Sequence, residues 1–321
     1  MSVQGYTPDY MTHPVVEADG LRIEGASFQA HRGLLCRWPE GAAPKACVIF
    51  GHGMGESGFS YAELCRFWAA HGYLVICPTF SDWIEAIAAA HRDIGEALEG
   101  HDPMDWSSLP DVAPKVLALL HQPSYWLDRI RIAREILGRI DDIMAATCGA
   151  PDGPMPLVIA GHSFGAYLSQ LFAGAEIDVP GQGATSFKDD RFRAAILLSA
   201  QGRDQQGLRE GSWDPMTGPV LNVTGTLDGG ARGQDWHWKC EPYDFAPPGG
   251  KYLAVIENAA HNLGGVARIT KRENDPAQRD AVHQLTLAFL DAYAVGDPAA
   301  LEWLSSITDR IGGCPVLFKR K

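Results

Sequence analysis

Short runs of four or five residues, apolar throughout or nearly so, recur along this chain, most closed by a turn residue and most followed by a helical pattern. They are Ala46–Phe50, Tyr73–Cys77, Leu157–Ala160, Ala194–Leu198, Val220–Thr224 and Tyr252–Ile256. A strand that is apolar at every position must be covered on both faces, and that is the condition of a parallel sheet flanked by helices. Helical spacing over 58–71, 165–174 and 277–294 supplies the covering layers. Residues 15–24 and 30–38 read as two further strands, a hairpin leading into the sheet. The pattern predicts a single α/β domain over 1–321 with a mostly parallel central sheet of about eight strands.

One interval departs from the alternation. Between Thr79 and Pro156 nothing reads as a strand. Trp126, Ile130, Ala133, Leu137 and Ile140 recur at helical spacing and predict one long amphipathic helix. Residues 83–120 carry a second helical pattern, with a loop rich in Asp, Pro and Ser around 101–114. The interval, about 80–150, is either a pair of crossover helices or a helical cap that brings Trp83, Trp106 or Trp126 to a substrate.

Charge narrows the partners. With 39 acidic and 27 basic side chains the chain carries a formal −12, which repels a phosphate backbone, so no nucleic-acid partner is expected. No run reaches the roughly 18 apolar residues of a membrane span, and none is expected. Met1–Val16 lacks a basic segment followed by an apolar one, so a cytoplasmic location is the expectation. The seven cysteines have no close-spaced pairs and read mostly as small core residues in a reducing compartment. Nothing demands a bridge; Cys240 or Cys314 is where one would start.

Gly161-His-Ser163-Phe-Gly165 stands directly between the apolar strand 157–160 and a helical apolar pattern of Phe164, Leu168, Leu171 and Phe172. A serine on so sharp a turn projects its hydroxyl above the sheet edge, and a side chain at 161 or 165 would strike the neighbouring backbone. Ser163 is therefore the candidate nucleophile. The N–H of Phe164 is then one candidate oxyanion donor, and Met54, in Phe50-Gly-His-Gly-Met-Gly55, supplies the second.

If the chain order is nucleophile, acid, base, the base is His237, His261 or His283. His283 lies within a helical pattern and His237 shares a loop with the candidate acid. His261 follows the last strand at its C-terminal end and is preferred. Asp228, just past the strand ending at Thr224, is placed to accept the other ring N–H; Asp204 is its competitor. Trp236 and Trp238 follow in the same loop and, with Trp83 and Trp126, are the candidate substrate-binding residues. Packing between that loop and the sheet edge is the other reading. No cofactor and no metal are expected, since His237-x-x-Cys240 is too thin a cluster to hold one. The tail from 296 reads as a short helix around 299–307 and an extended end, a candidate homodimer contact.

Over about residues 15–295 the chain resembles the α/β-hydrolase superfamily, and within it bacterial serine esterases related to platelet-activating-factor acetylhydrolase and dienelactone hydrolase. Gly51-His-Gly-Met-Gly, Gly161-His-Ser-Phe-Gly, Gly225-Thr-Leu-Asp and Asn258-Ala-Ala-His-Asn-Leu-Gly-Gly265 carry the resemblance. Dienelactone hydrolases have a cysteine where this chain has Ser163. The animal acetylhydrolases carry their acid after the sixth strand, where this chain has Ser199. The resemblance implies an α/β-hydrolase fold and hydrolysis of a small-molecule carboxylic ester through an acyl-enzyme. The same residues would serve an amidase, a thioesterase or an acyltransferase, and a silent hydrolase fold used for binding is a third reading.

Overall fold

The computed structural model describes residues 5–28, 32–119, 121–150, 153–268 and 274–321. Ten strands form one sheet: β1 (Val15–Leu21), β2 (Leu34–Pro39), β3 (Ala46–Gly51), β4 (Tyr73–Cys77), β5 (Leu157–His162), then, beyond a separate hairpin of β6 (Glu176–Val179) and β7 (Gly183–Ser186), β8 (Phe192–Leu198), β9 (Val220–Gly225), β10 (Lys251–Ile256), β11 (Arg310–Ile311) and β12 (Cys314–Arg320). Their spatial order is β1-β2-β4-β3-β5-β8-β9-β10-β12-β11. The six central strands are parallel throughout. Antiparallel pairs occur only toward the two margins, β1 with β2, β2 with β4, β10 with β12 and β11 with β12.

The central strands are buried along their length, the first two residues of β8 apart, because alternate side chains enter different cores. Cys47, Ile49, Leu74, Ile76, Ile159 and Leu197 face one hydrophobic cluster. Val48, Phe50, Val75, Val158, Ala160 and Ile196 face the other. The first cluster is closed by α2 (Ile84–Ala90), α3 (Arg92–Leu98), α4 (Ala113–Leu119), α5 (Pro123–Gly138), α6 (Ile140–Ala146) and α7 (Phe164–Phe172). The second is closed by α1 (Ala62–Ala70) and α9 (Pro276–Leu290), which follows α8 (His237–Phe245) in the chain. Asp275 caps α9 by accepting the N–H groups of Ala277 and Gln278, and Pro276 occupies its first turn.

The interval 79–156 contains helices and no strand among its described residues; Leu120, Pro151 and Asp152 lie outside them. The amphipathic pattern around 126–140 is one sixteen-residue helix, α5, followed after a break at Arg139 by α6. Residues 83–120 are three short helices and a 3-10 segment, Pro103–Ser108. Residues 30 and 31 of the expected second strand also lie outside the described residues.

One expectation is corrected: among the described residues the sheet has ten strands rather than about eight, because β11 and β12 extend it. The tail is a short helix and an extended end as expected: after α10 (Pro298–Ser306) it turns back, and β12 pairs with β10 over five residue pairs, from Ile256↔Val316 to Tyr252↔Arg320. All seven cysteines, Cys240 and Cys314 included, are free thiols. Among the described residues no helix is long and apolar enough to cross a membrane.

Candidate active site

β5 ends at His162, and the backbone turns into α7 through Ser163, whose φ of 52° and ψ of −116° lie outside the regions an ordinary residue occupies. Such strain persists only where the surroundings over-determine it. Here the Ser163 N–H is held by the Leu198 carbonyl at 2.8 Å. The flanking glycines let three backbones touch. A Cβ on Gly161 would lie 2.3 Å from the Gly165 carbonyl carbon, and one on Gly165 would lie 1.9 Å from the Gly51 oxygen. β3, β5 and the first turn of α7 thus meet where no side chain fits.

Parallel pairing of β9 and β10 sets the loops after them side by side. Asp228, in the first loop, and His261, in the second, meet there. Asp228 Oδ1 is 2.8 Å from His261 Nδ1, and His261 Nε2 is 3.1 Å from Ser163 Oγ. The carboxylate accepts at Nδ1, so that nitrogen carries the hydrogen and Nε2 presents its lone pair to the serine. Asp204 N–H closes a turn on Leu208, and among the described residues its carboxylate has no bond with His261. His237 is exposed and pairs with Asp235, while His283 is stacked on Phe67 in α9.

The surroundings of Asp228 explain its ionisation. Burial by itself would raise its pKa, but the positive charge of Lys239, then His261, and the hydrogen bonds it accepts outweigh burial and hold the carboxyl well below its ordinary value. Lys239 Nζ, on α8, lies 3.9 Å from Asp228 Oδ1 and donates to the Ser199 carbonyl at 3.3 Å. Burial lowers the pKa of that ammonium, and Asp228 opposes the shift. Thr224 donates to Asp228 Oδ2, and Ser199 Oγ lies 2.8 Å from His261 Nδ1.

Among the described residues, the N–H groups of Met54 and Phe164 are donated to no protein acceptor. A cavity of about 380 Å³ opens over Ser163 and His261. Met54, Met104, Trp106 and Leu117 give its lining an apolar part, and Gln201 and Gln205 a polar one, with the Gly229–Ala231 turn also at its surface. Of the five tryptophans named as candidates at a substrate, Trp106 and Trp238 line the cavity. Trp126 is buried against Tyr167 because its stripe on α5 faces the core. Trp83 is only partly buried, with its backbone bridged to Gly55, and packs on the helical side of the sheet. Trp236 stacks on His237 at 3.7 Å and packs against the small cluster of Cys240 and Tyr243. Trp106, one of the three tryptophans of the 79–156 interval, reaches the cavity as expected of a cap, and Gly55 has room for it only for want of a Cβ, which would lie 2.4 Å from the indole nitrogen.

Behind the loop that carries Met54 lies a buried ion pair that sequence reading missed. Arg129 and Asp82 are both fully buried, joined through Nε at 3.0 Å and a second nitrogen. Arg129 also donates to the carbonyls of His52 and Gly53 at 2.6 and 3.2 Å, between the rings of Phe80 and Phe164. The signal was available: Arg129 stands in the apolar stripe of α5, three residues after Trp126 and four before Ala133. Lys239, Thr224 and Ser199 carry no such mark, since only the packing of α8 and the strand ends brings them together.

Chemically, the arrangement can draw a proton from a strained serine hydroxyl into an imidazole whose other nitrogen is held by a buried carboxylate. In comparison with known proteins, no family model matches the chain and no curated protein is similar to it.

Proposed function

We propose that this protein is a serine hydrolase of the α/β-hydrolase fold that cleaves a small-molecule carboxylic ester through an acyl-enzyme. The observation that carries the reading is the His261 ring, bridging Ser163 Oγ at 3.1 Å and the buried Asp228 at 2.8 Å. The strained strand-to-helix turn at Ser163 and the chain order serine, aspartate, histidine support it.

In the proposed reaction Ser163 Oγ attacks the ester carbonyl while His261 Nε2 takes its proton. The oxyanion forms against the N–H groups of Phe164 and Met54, each worth on the order of 3 kcal/mol of barrier. His261 returns the proton to the leaving alcohol, which departs as the acyl-enzyme forms. A water then enters, loses its proton to His261, attacks the acyl carbon and expels Ser163, which regains that proton. Asp228 keeps the Nδ1 hydrogen in place and steadies the imidazolium in both halves.

Ser163→Ala is expected to lower kcat for a short p-nitrophenyl ester by about 10⁴-fold or more. A fluorophosphonate should label the native protein at Ser163. Undiminished turnover in the variant would reject the reading, and competition with an amine, a thiol ester or a second alcohol separates ester hydrolysis from its amide, thioester and transfer alternatives.

A further inference from the structure

Beside the candidate oxyanion donors, Tyr61 joins three buried groups. Its hydroxyl oxygen receives the Gly53 N–H at 3.0 Å, touches the Glu56 carboxyl, and lies 2.8 Å from His162 Nδ1. The positions of the protons follow from the far end of this chain. His162 Nε2 is 2.7 Å from the His261 carbonyl oxygen, which can only accept, so Nε2 carries a hydrogen. In a neutral ring Nδ1 is then bare and takes the Tyr61 hydroxyl hydrogen. Tyr61 has no other hydrogen to give, so the contact with Glu56 requires a proton on the carboxyl.

The same protons could be arranged as a carboxylate and an imidazolium. That arrangement puts two charges in a buried site, where burial and the neighbouring His261 disfavour the cation more than the charge of Asp228 favours it. Burial, reinforced by His261, holds the His162 imidazolium down to about 3. Burial raises the Glu56 carboxyl to about 7, against the opposing pull of a Tyr61 hydroxyl able to donate to the ionised form and of Arg129.

We infer that Glu56 stands in the resting site as a neutral carboxylic acid donating to Tyr61, and that it is a positioning residue whose loss of the proton weakens the oxyanion pocket. The inference about the pocket rests on the proposed function; the assignment of the proton does not. Once ionised, Glu56 draws the Tyr61 hydrogen to itself and leaves His162 Nδ1 bare. It also places a negative charge in the cavity that holds Ser163, two residues after Met54, where negative charge must develop on the acyl oxygen. Arg129, from α5, faces this charge but is committed to Asp82 and two carbonyls. Lys239 is turned to Asp228, and His52 is neutral, its Nε2 accepting the Phe80 N–H. Arg268 lines the same cavity from the loop after His261. Turnover therefore falls as the pH rises through about 7. The sign for stability is the same: a carboxyl raised on folding stabilises fully below its ordinary range and loses that contribution up to about 7.

The test is kcat for a short ester at pH 6.5 and 8.5 in the native protein and in Glu56→Gln, together with infrared titration of the carboxylic-acid carbonyl band. The native ratio of kcat at the two pH values should be about 25-fold, following the protonated fraction of a group that titrates at about 7, and within about twofold in Glu56→Gln, whose amide donates but does not titrate. The band should vanish from the native protein as pH passes about 7 and be missing from Glu56→Gln. In Tyr61→Phe it should shift, since the acid has lost its acceptor. A band that titrates in the ordinary carboxylate range, an unshifted band in Tyr61→Phe, or the native pH ratio retained in Glu56→Gln overturns the inference. A band that titrates as expected in a protein that turns over no ester supports the placement of the proton and overturns the functional reading instead.

Discussion

At the scale of single residues, the site is organised by which group keeps its charge. Asp228 is buried, yet Lys239 and His261 keep it ionised; at Glu56 burial outweighs the pull of Arg129, which is committed to Asp82, and the carboxyl keeps its proton. Two carboxyls in one cavity region thus take opposite states because one has a cation committed to it and the other has a hydroxyl. Asp228 bears on acid stability with a defined sign. Its pKa is depressed on folding, so its contribution is present above the ordinary carboxylate value and is lost as pH falls through the folded one. Asp228→Asn should leave the fold intact at neutral pH, lower kcat about 10⁴-fold by giving His261 the wrong tautomer, and flatten the loss of stability below about pH 4. Acid unfolding followed by circular dichroism, unchanged between the two proteins, would contradict the role given to its charge.

At the scale of elements, α5 does more than cover the sheet. It sends Arg129 through the core to hold the carbonyls of His52 and Gly53, at the end of β3. A trans peptide points its N–H opposite to its carbonyl. Fixing the Gly53 oxygen from behind therefore turns the Met54 N–H the other way, which is how a helix from the 79–156 interval orients a loop distant in sequence. Removing one member of a buried ion pair leaves the other uncompensated. Arg129→Met should cost about 3–5 kcal/mol in urea unfolding, and adding Asp82→Leu should restore much of that. A double variant no more stable than the single one would show that Asp82 is not the source of the loss. The same element scale explains the failed tryptophan readings: Trp126 lies on the stripe that packs α5 inward, so a helix face favourable for the core is unavailable to a cavity.

At the scale of the whole molecule, the last strands close one margin of the sheet. β12 covers β10, and Ile311, Cys314 and Val316 are buried there. Removing residues 310–321 would expose the backbone edge of β10, the strand that carries the loop of His261. Such a truncated chain should lose about 3 kcal/mol or more, from the buried side chains alone, and should aggregate on mild heating. An unchanged urea midpoint in the truncated protein would show that β12 is an ornament of the sheet rather than part of its support.

Most of the parallel strands and their flanking helices were legible because the signal is local: residues apolar at every position demand cover on both sides. The glycines around Ser163 were legible for the same reason, since a turn that brings backbones into contact excludes side chains at 161 and 165 wherever the chain goes next. The extended end of the tail was legible but its place in the sheet was not, because the pairing of Cys314–Arg320 with β10 is a contact between segments far apart in the chain. Nor were Lys239, Tyr61 and Glu56 at the site, whose neighbours come from strands and loops up to about a hundred positions away. The sequence by itself determined where a strained serine turn and a layered sheet must form, since those depend on neighbours along the chain. The tertiary structure alone decided which charges meet around Ser163, because ionisation depends on burial and on distance through space.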